Sequence, residues 1–92
     1  MEHNLYDETK LIADIKSNDN KSQNMALRQL YMDEVVTLKI KDFIQYYGTK
    51  HDVDDVLQEG IILMRRLILE DKFNKNSKVR TFLIGICRNL VR

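Results

Sequence analysis

Between residues 52 and 68 the chain reads DVDDVLQEGIILMRRLI. Val53, Val56, Leu57, Ile61, Met64, Leu67 and Ile68 recur at i, i+3, i+4 and i+7 spacing, which makes one side of a helix apolar for about five turns. Gly60 falls on that side too. Asp52 is suited to cap the helix, and Asp54 and Asp55 oppose the positive end of its dipole. The rest of the chain therefore has to cover this stripe. Ile62 and Leu63 point away from it, beside Gln58, Glu59 and Arg66, and form a second, mixed surface open to a partner.

The chain has 92 residues, 43% of them hydrophobic, which suits one small domain with an adequate core. Proline is absent and the glycines are isolated at positions 48, 60 and 85, a composition that favours an all-α fold over a turn-rich β fold. The longest apolar run, Phe82 to Cys87, is far too short to span a bilayer. Met1 to Tyr6 has neither the basic start nor the apolar centre of a signal peptide. Cys87 has no second cysteine to pair with, so a reducing cytoplasm is the expected setting.

The net charge of +1 conceals a division along the chain. Residues 1–46 carry 6 basic and 8 acidic side chains, and residues 47–92 carry 9 basic and 6 acidic. From Lys72 onward the chain has Lys72, Lys75, Lys78, Arg80, Arg88 and Arg92 and no acid. A polyanion is a fitting partner for such a segment, with solvated surface charge as the plainer alternative.

Leu5, Leu11, Ile12 and Ile15 predict a short packing helix from about Asp7 to Asn18, followed by a polar turn whose Asn, Asp and Ser residues offer several caps. A long helix is expected over residues 23–47. In its first half Leu27, Leu30, Tyr31, Val35 and Leu38 share a face, whereas Val36, Ile40, Phe43, Ile44 and Tyr47 lie almost opposite. Either the helix breaks near Thr37 or it packs on different neighbours at its two ends, and the lack of Gly or Pro favours continuity. Gly48 suits a left-handed C-cap. The following helix is poorly placed to read a duplex, because Asp52, Asp54 and Asp55 would meet phosphates in the groove. Residues 70–77, EDKFNKNS, form a polar loop, and Ser77 is expected to cap a last helix from Lys78 whose core side is Val79, Phe82, Leu83, Ile86, Leu90 and Cys87. The expected architecture is a compact bundle of about four helices with the last one truncated.

Catalytic and metal chemistry find little support. His3 and His51 have no ligand partner at metal spacing. No glycine-rich phosphate loop occurs. Asp52, Asp54, Asp55 and Glu59 are better explained as a dipole-compensating first turn than as an acid/base or metal cluster. Cys87 lies on an apolar helical side with no base beside it, as a core thiol would.

Two patterns carry a family resemblance. Asp52, Asp55, Gln58 and Glu59 form D-x-x-D-x-x-Q-E, and Phe82, Leu83, Ile86, Cys87, Arg88 and Asn89 follow as aromatic-Leu, Ile, small, Arg, Asn. Together they resemble region 2 of bacterial sigma factors of the extracytoplasmic-function type, with a weaker match over Ala26 to Tyr31 and at Asn18-Asp19. The family commonly has Trp at the place of Phe82 and aromatics near Arg65 and at Val79.

The resemblance implies one sigma region 2 domain over residues 1–92, without the second promoter-binding domain that sigma activity needs. It implies no enzyme activity and no cofactor. Asp55, Gln58, Glu59, Ile62, Leu63 and Arg66 would dock on the clamp helices of the large subunit of core RNA polymerase. Lys72, Lys75, Lys78, Arg80, Arg88 and Arg92 would contact phosphates of the melted non-template strand of the promoter −10 element, with Phe73 stacking on a base and Asn74, Asn76 and Ser77 reading an extruded base edge. Asn89 belongs to the same surface. An anti-sigma factor is a further implied partner. A helical protein-interaction module without nucleic-acid binding is the alternative.

Overall fold

In the computed structural model, which describes residues 6–74 and 76–92, the stripe of residues 53–68 becomes the central helix. Five helices are present among the described residues: α1 (Glu8–Lys16), α2 (Asn20–Tyr31), α3 (Glu34–Tyr47), α4 (Val53–Leu69) and α5 (Val79–Val91). α4 touches each of the other four, while α5 packs across α3 and α4 and α1 lies against α2 and α4. The all-α expectation is met with one helix more than foreseen.

The extra helix comes from a break inside the segment expected to be continuous. α2 ends at Tyr31, and Asp33 starts α3 by accepting hydrogen bonds from the backbone N–H of Val35 at 2.9 Å and of Val36 at 3.4 Å. An N-cap aspartate can begin a new helix where no Gly or Pro marks a break. The break resets the helical phase, so Ala26 and Leu30 are buried on α2 and Val36 and Ile40 on α3, while Leu38 is left 58% exposed. The change of face in the sequence was the break itself, four residues before Thr37.

Aspartates start the other early helices as well. Asp7 caps α1, Asp19 caps α2, and Asp52 accepts from the N–H of Asp54 and Asp55 at 2.8 and 3.2 Å to start α4. α3 ends on Gly48 at φ 64°, with the Thr49 N–H returning to the Ile44 carbonyl. α4 ends in the same way, except that Asp71 takes the left-handed position at φ 57° while Lys72 N–H reaches the Leu67 carbonyl at 2.9 Å.

The core is one cluster. Ile15, Leu30, Ile40, Met64, Ile68 and Leu83 are fully buried, each stabilising the fold by about 2 kcal/mol. Gly60 permits the closest approach in it: a Cβ there would lie 2.5 Å from the Cys87 sulfur, so α4 and α5 meet where α4 has no side chain. Cys87 is completely buried, and burial pushes its thiol up to about 11, the behaviour of an inert core residue.

Candidate functional site

Two surfaces stand out, one on α4 and one on the α4–α5 loop with α5. On α4, Asp55, Gln58, Glu59 and Arg66 are exposed, Ile62 is 69% exposed and Leu63 is half-buried. The six residues expected to face a protein partner are thus brought together on the outer side of one helix. That side continues onto α2. Leu27, Arg28 and Tyr31 of α2 and Gln58, Ile61 and Ile62 of α4 line a shallow, mostly apolar groove of about 350 Å³. The Tyr31 hydroxyl donates to the Asp54 carboxylate, which also accepts from Gln58 Nε2 at 2.8 Å. This chain of bonds fixes α2 against the first turn of α4. Sequence spacing alone did not disclose the contribution of α2, because its two helices come together only in the folded bundle.

The second surface differs from expectation in three respects. Phe73 is only 9% exposed, and its ring packs on Phe82 with centroids 5.0 Å apart. A ring this little exposed offers no open face to a base, so the stacking role expected for Phe73 is corrected to that of an anchor holding the loop down. Apolar side chains in short polar loops fold inward for the same reason that they do in helices.

Arg80 is the second correction. Its Nε donates to Asp33 Oδ2 at 2.8 Å, with the two side chains only 12% and 4% exposed, and its guanidinium lies 5.4 Å from the centre of the Tyr6 ring. Tyr6 donates to the same carboxylate at 2.7 Å. Burial works to raise the Asp33 carboxyl, but the hydrogen bonds from Tyr6 and Arg80 and the arginine's charge outweigh it and hold the group below the usual carboxylate range. Burial first, and then Asp33, raises the Tyr6 hydroxyl, which therefore remains a donor. Arg80 is an internal tie between α5 and the α2–α3 junction, not a phosphate contact.

The third concerns the start of α5. Ser77 does not cap it; the helix begins after Lys78, and Glu8 Oε1 of α1 accepts from the Val79 N–H at 2.7 Å. A cap supplied from 71 residues away leaves no local pattern in the sequence.

The remaining candidates stay on the surface. Lys72, Asn74, Asn76, Lys78, Arg88, Asn89 and Arg92 are exposed and Ser77 is half-buried. Asn74 shapes the loop, accepting from the N–H of Asn76 through Oδ1 at 3.0 Å and from the N–H of Ser77 through its carbonyl at 2.9 Å. Lys72 pairs with Glu70 at 3.2 Å on the surface. Arg88 donates to the Tyr47 hydroxyl at 3.3 Å. Lys75 and Leu5 lie outside the described residues. Among the described residues no group of three His, Cys, Asp or Glu side chains is placed to hold a metal ion, and no helix is long and apolar enough to cross a membrane.

Over 83 residues, 89% of this chain, the sequence is 36% identical to the RNA polymerase sigma factor HrpL of Pseudomonas syringae pv. syringae. The chain spans 43% of that relative's length. No protein-family model matches the chain, and no solved structure does. The match takes in most of the chain, and it supports placing the chain among the bacterial sigma factors of the extracytoplasmic-function, sigma-70 type.

Proposed function

We propose that residues 1–92 form a sigma region 2 domain, a non-enzymatic transcription initiation module that works in the cytoplasm. It docks on the clamp helices of core RNA polymerase through the outer face of α4, and it captures the melted non-template strand of the promoter −10 element with the α4–α5 loop and α5. An anti-sigma factor is a further partner of the same kind of domain. The observation that carries this reading is the 36% identity over 83 residues to a sigma factor.

The geometry supports it in two ways. The α4 face combines the carboxylates of Asp55 and Glu59 with exposed Ile62 and an adjoining apolar groove, a composition suited to receiving a helix of a partner protein. The loop and α5 are free of acid from Lys72 onward, and their exposed cations can follow a phosphate backbone while Asn74, Asn76 and Ser77 offer donors and acceptors to a base edge. With Phe73 and Arg80 turned inward, capture rests on Lys72, Lys78, Arg88, Asn89, Arg92 and the polar loop, and Lys75 extends that set along the chain. Extruding a base costs a few kcal/mol, so the domain takes opened DNA in preference to duplex.

Fluorescence anisotropy with a single-stranded −10-type oligonucleotide and the matching duplex tests the proposal. Tighter binding of the single strand is expected, with a log-log salt slope of about −3 if roughly four phosphates are engaged. Preference for duplex, or a flat salt response, would overturn strand capture and leave a protein-interaction module.

A further inference from the structure

The far end of α3 carries a feature that neither proposed surface uses. Tyr46 is 83% exposed, the most exposed of the large hydrophobic side chains among the described residues. Its ring meets that of Tyr47 edge to face, with centroids 5.1 Å apart and planes at 86°. Tyr47 is half-buried against the core and accepts from Arg88 Nε at 3.3 Å. Tyr46 is thus a ring held out in solvent by a partner that is itself anchored. An aromatic side chain left this open gains nothing from the hydrophobic core.

Its surroundings indicate what it meets. Arg88 belongs to the acid-free stretch of α5, with Asn89 beside it and Arg92 one turn on, all exposed. Among the described residues Arg88 has Tyr47 as its side-chain partner and no carboxylate, so its charge is available to an anion. Asp42 lies one turn back from Tyr46 on α3, which disfavours a phosphate on that side and leaves the Arg88 side for the backbone of a strand. An exposed ring with an exposed arginine next to it is the arrangement by which proteins hold single-stranded nucleic acid, the base on the ring and the phosphate on the cation.

We propose that Tyr46, with Tyr47 and Arg88, is a base-stacking platform that extends the single-stranded DNA path from α5 onto the C-terminal end of α3. The proposal rests on the strand-capture reading and adds a contact to it. Stacking needs only a π-face, so the platform holds whichever base arrives and contributes affinity rather than sequence choice.

The chain contains no tryptophan, so Tyr46→Trp introduces a lone fluorophore at the site. With a single-stranded oligonucleotide of about 12 nucleotides, the tryptophan emission is expected to be quenched in step with binding. Tyr46→Ala should bind about tenfold more weakly and Tyr46→Phe like the parent. An unchanged affinity for Tyr46→Ala, or a silent tryptophan while anisotropy reports binding, overturns the platform and leaves strand capture standing. Loss of core polymerase binding by Tyr46→Ala with oligonucleotide binding intact would make the patch a protein contact, also overturning it. If the parent binds no single strand at all, strand capture falls and the platform with it.

Discussion

Gly60 and Cys87 share a space that holds only one of their side chains: the Cys87 sulfur lies 2.5 Å from where a Gly60 Cβ would be. Helix propensity alone would make Gly60→Ala stabilising by up to about 1 kcal/mol. The expected result is the opposite, a loss of about 1–3 kcal/mol, because α5 has to move to admit the methyl group. Adding Cys87→Ala should recover part of that loss, giving a coupling of at least about 1 kcal/mol in urea denaturation. Strictly additive effects would show that the two helices do not meet there.

Arg80→Ala is expected to cost about 3 kcal/mol, since it strands the buried Asp33 carboxylate. The same pair governs the acid limb of stability. The folded Asp33 carboxyl is held below the usual carboxylate range, so its contribution is fully present above the pKa of the unfolded chain's aspartate and disappears as the pH falls through the lowered one. Urea midpoints from neutral pH downward should therefore drop more steeply in the parent than in Arg80→Ala over that acid range. Parallel curves would remove the pair from the account.

Charge reversal at Lys72 and Lys78, both exposed, should weaken single-stranded DNA binding and flatten the log-log salt slope by about 1.4, or about 0.7 for each lost phosphate contact. Thermal midpoints should stay put, because neither side chain supports the core. Arg80→Glu, by contrast, is expected to lower the thermal midpoint. A strand-binding defect at Arg80 unaccompanied by unfolding would return that residue to the DNA surface.

Asp55→Ala combined with Gln58→Ala should reduce affinity for core RNA polymerase about tenfold or more, as removal of central interface contacts does. Both residues are exposed, and Gln58 donates to the neighbouring Asp54 on the surface of the fold. The melting temperature should thus move by little, and single-stranded DNA binding should not change. Unaltered polymerase affinity would assign the α4 face to some other partner.

Periodicity disclosed the helices because burial acts on every turn of them. Val56, Leu57, Ile61, Met64 and Ile68 were legible as one buried side of α4, Asp52 as its N-cap and Gly48 as the C-cap of α3 before it. Val91 was missed on α5, where it is fully buried, because the expected side stopped at Leu90. What spacing could not show were contacts made across the bundle. Asp33 carries the information for a helix break in its own side chain, but its role as the hub for Tyr6 and Arg80 exists only once α1, α3 and α5 have met. Glu8 capping α5 is hidden for the same reason. The surface on α4 was readable because its residues are neighbours on one helix. The DNA-facing surface was only partly so, since charge says that a side chain prefers water or a counter-ion without saying which, and for Arg80 the counter-ion was internal.

The clasp between Glu8 and Val79, with Tyr6 and Arg80 meeting over Asp33 beside it, bears on how the polypeptide matures as it is made. Residues 6–8 leave the ribosome long before residues 79–80, and until the latter emerge Asp33 has no cation and α5 no cap. The earlier helices can pack on one another, but the bundle lacks α5 and the tie it makes to Asp33 until then, since contacts between such distant residues come late. Synthesis of the segment that would touch DNA is thus also the event that completes the fold, so a nascent domain acquires its partner surfaces and its stability together.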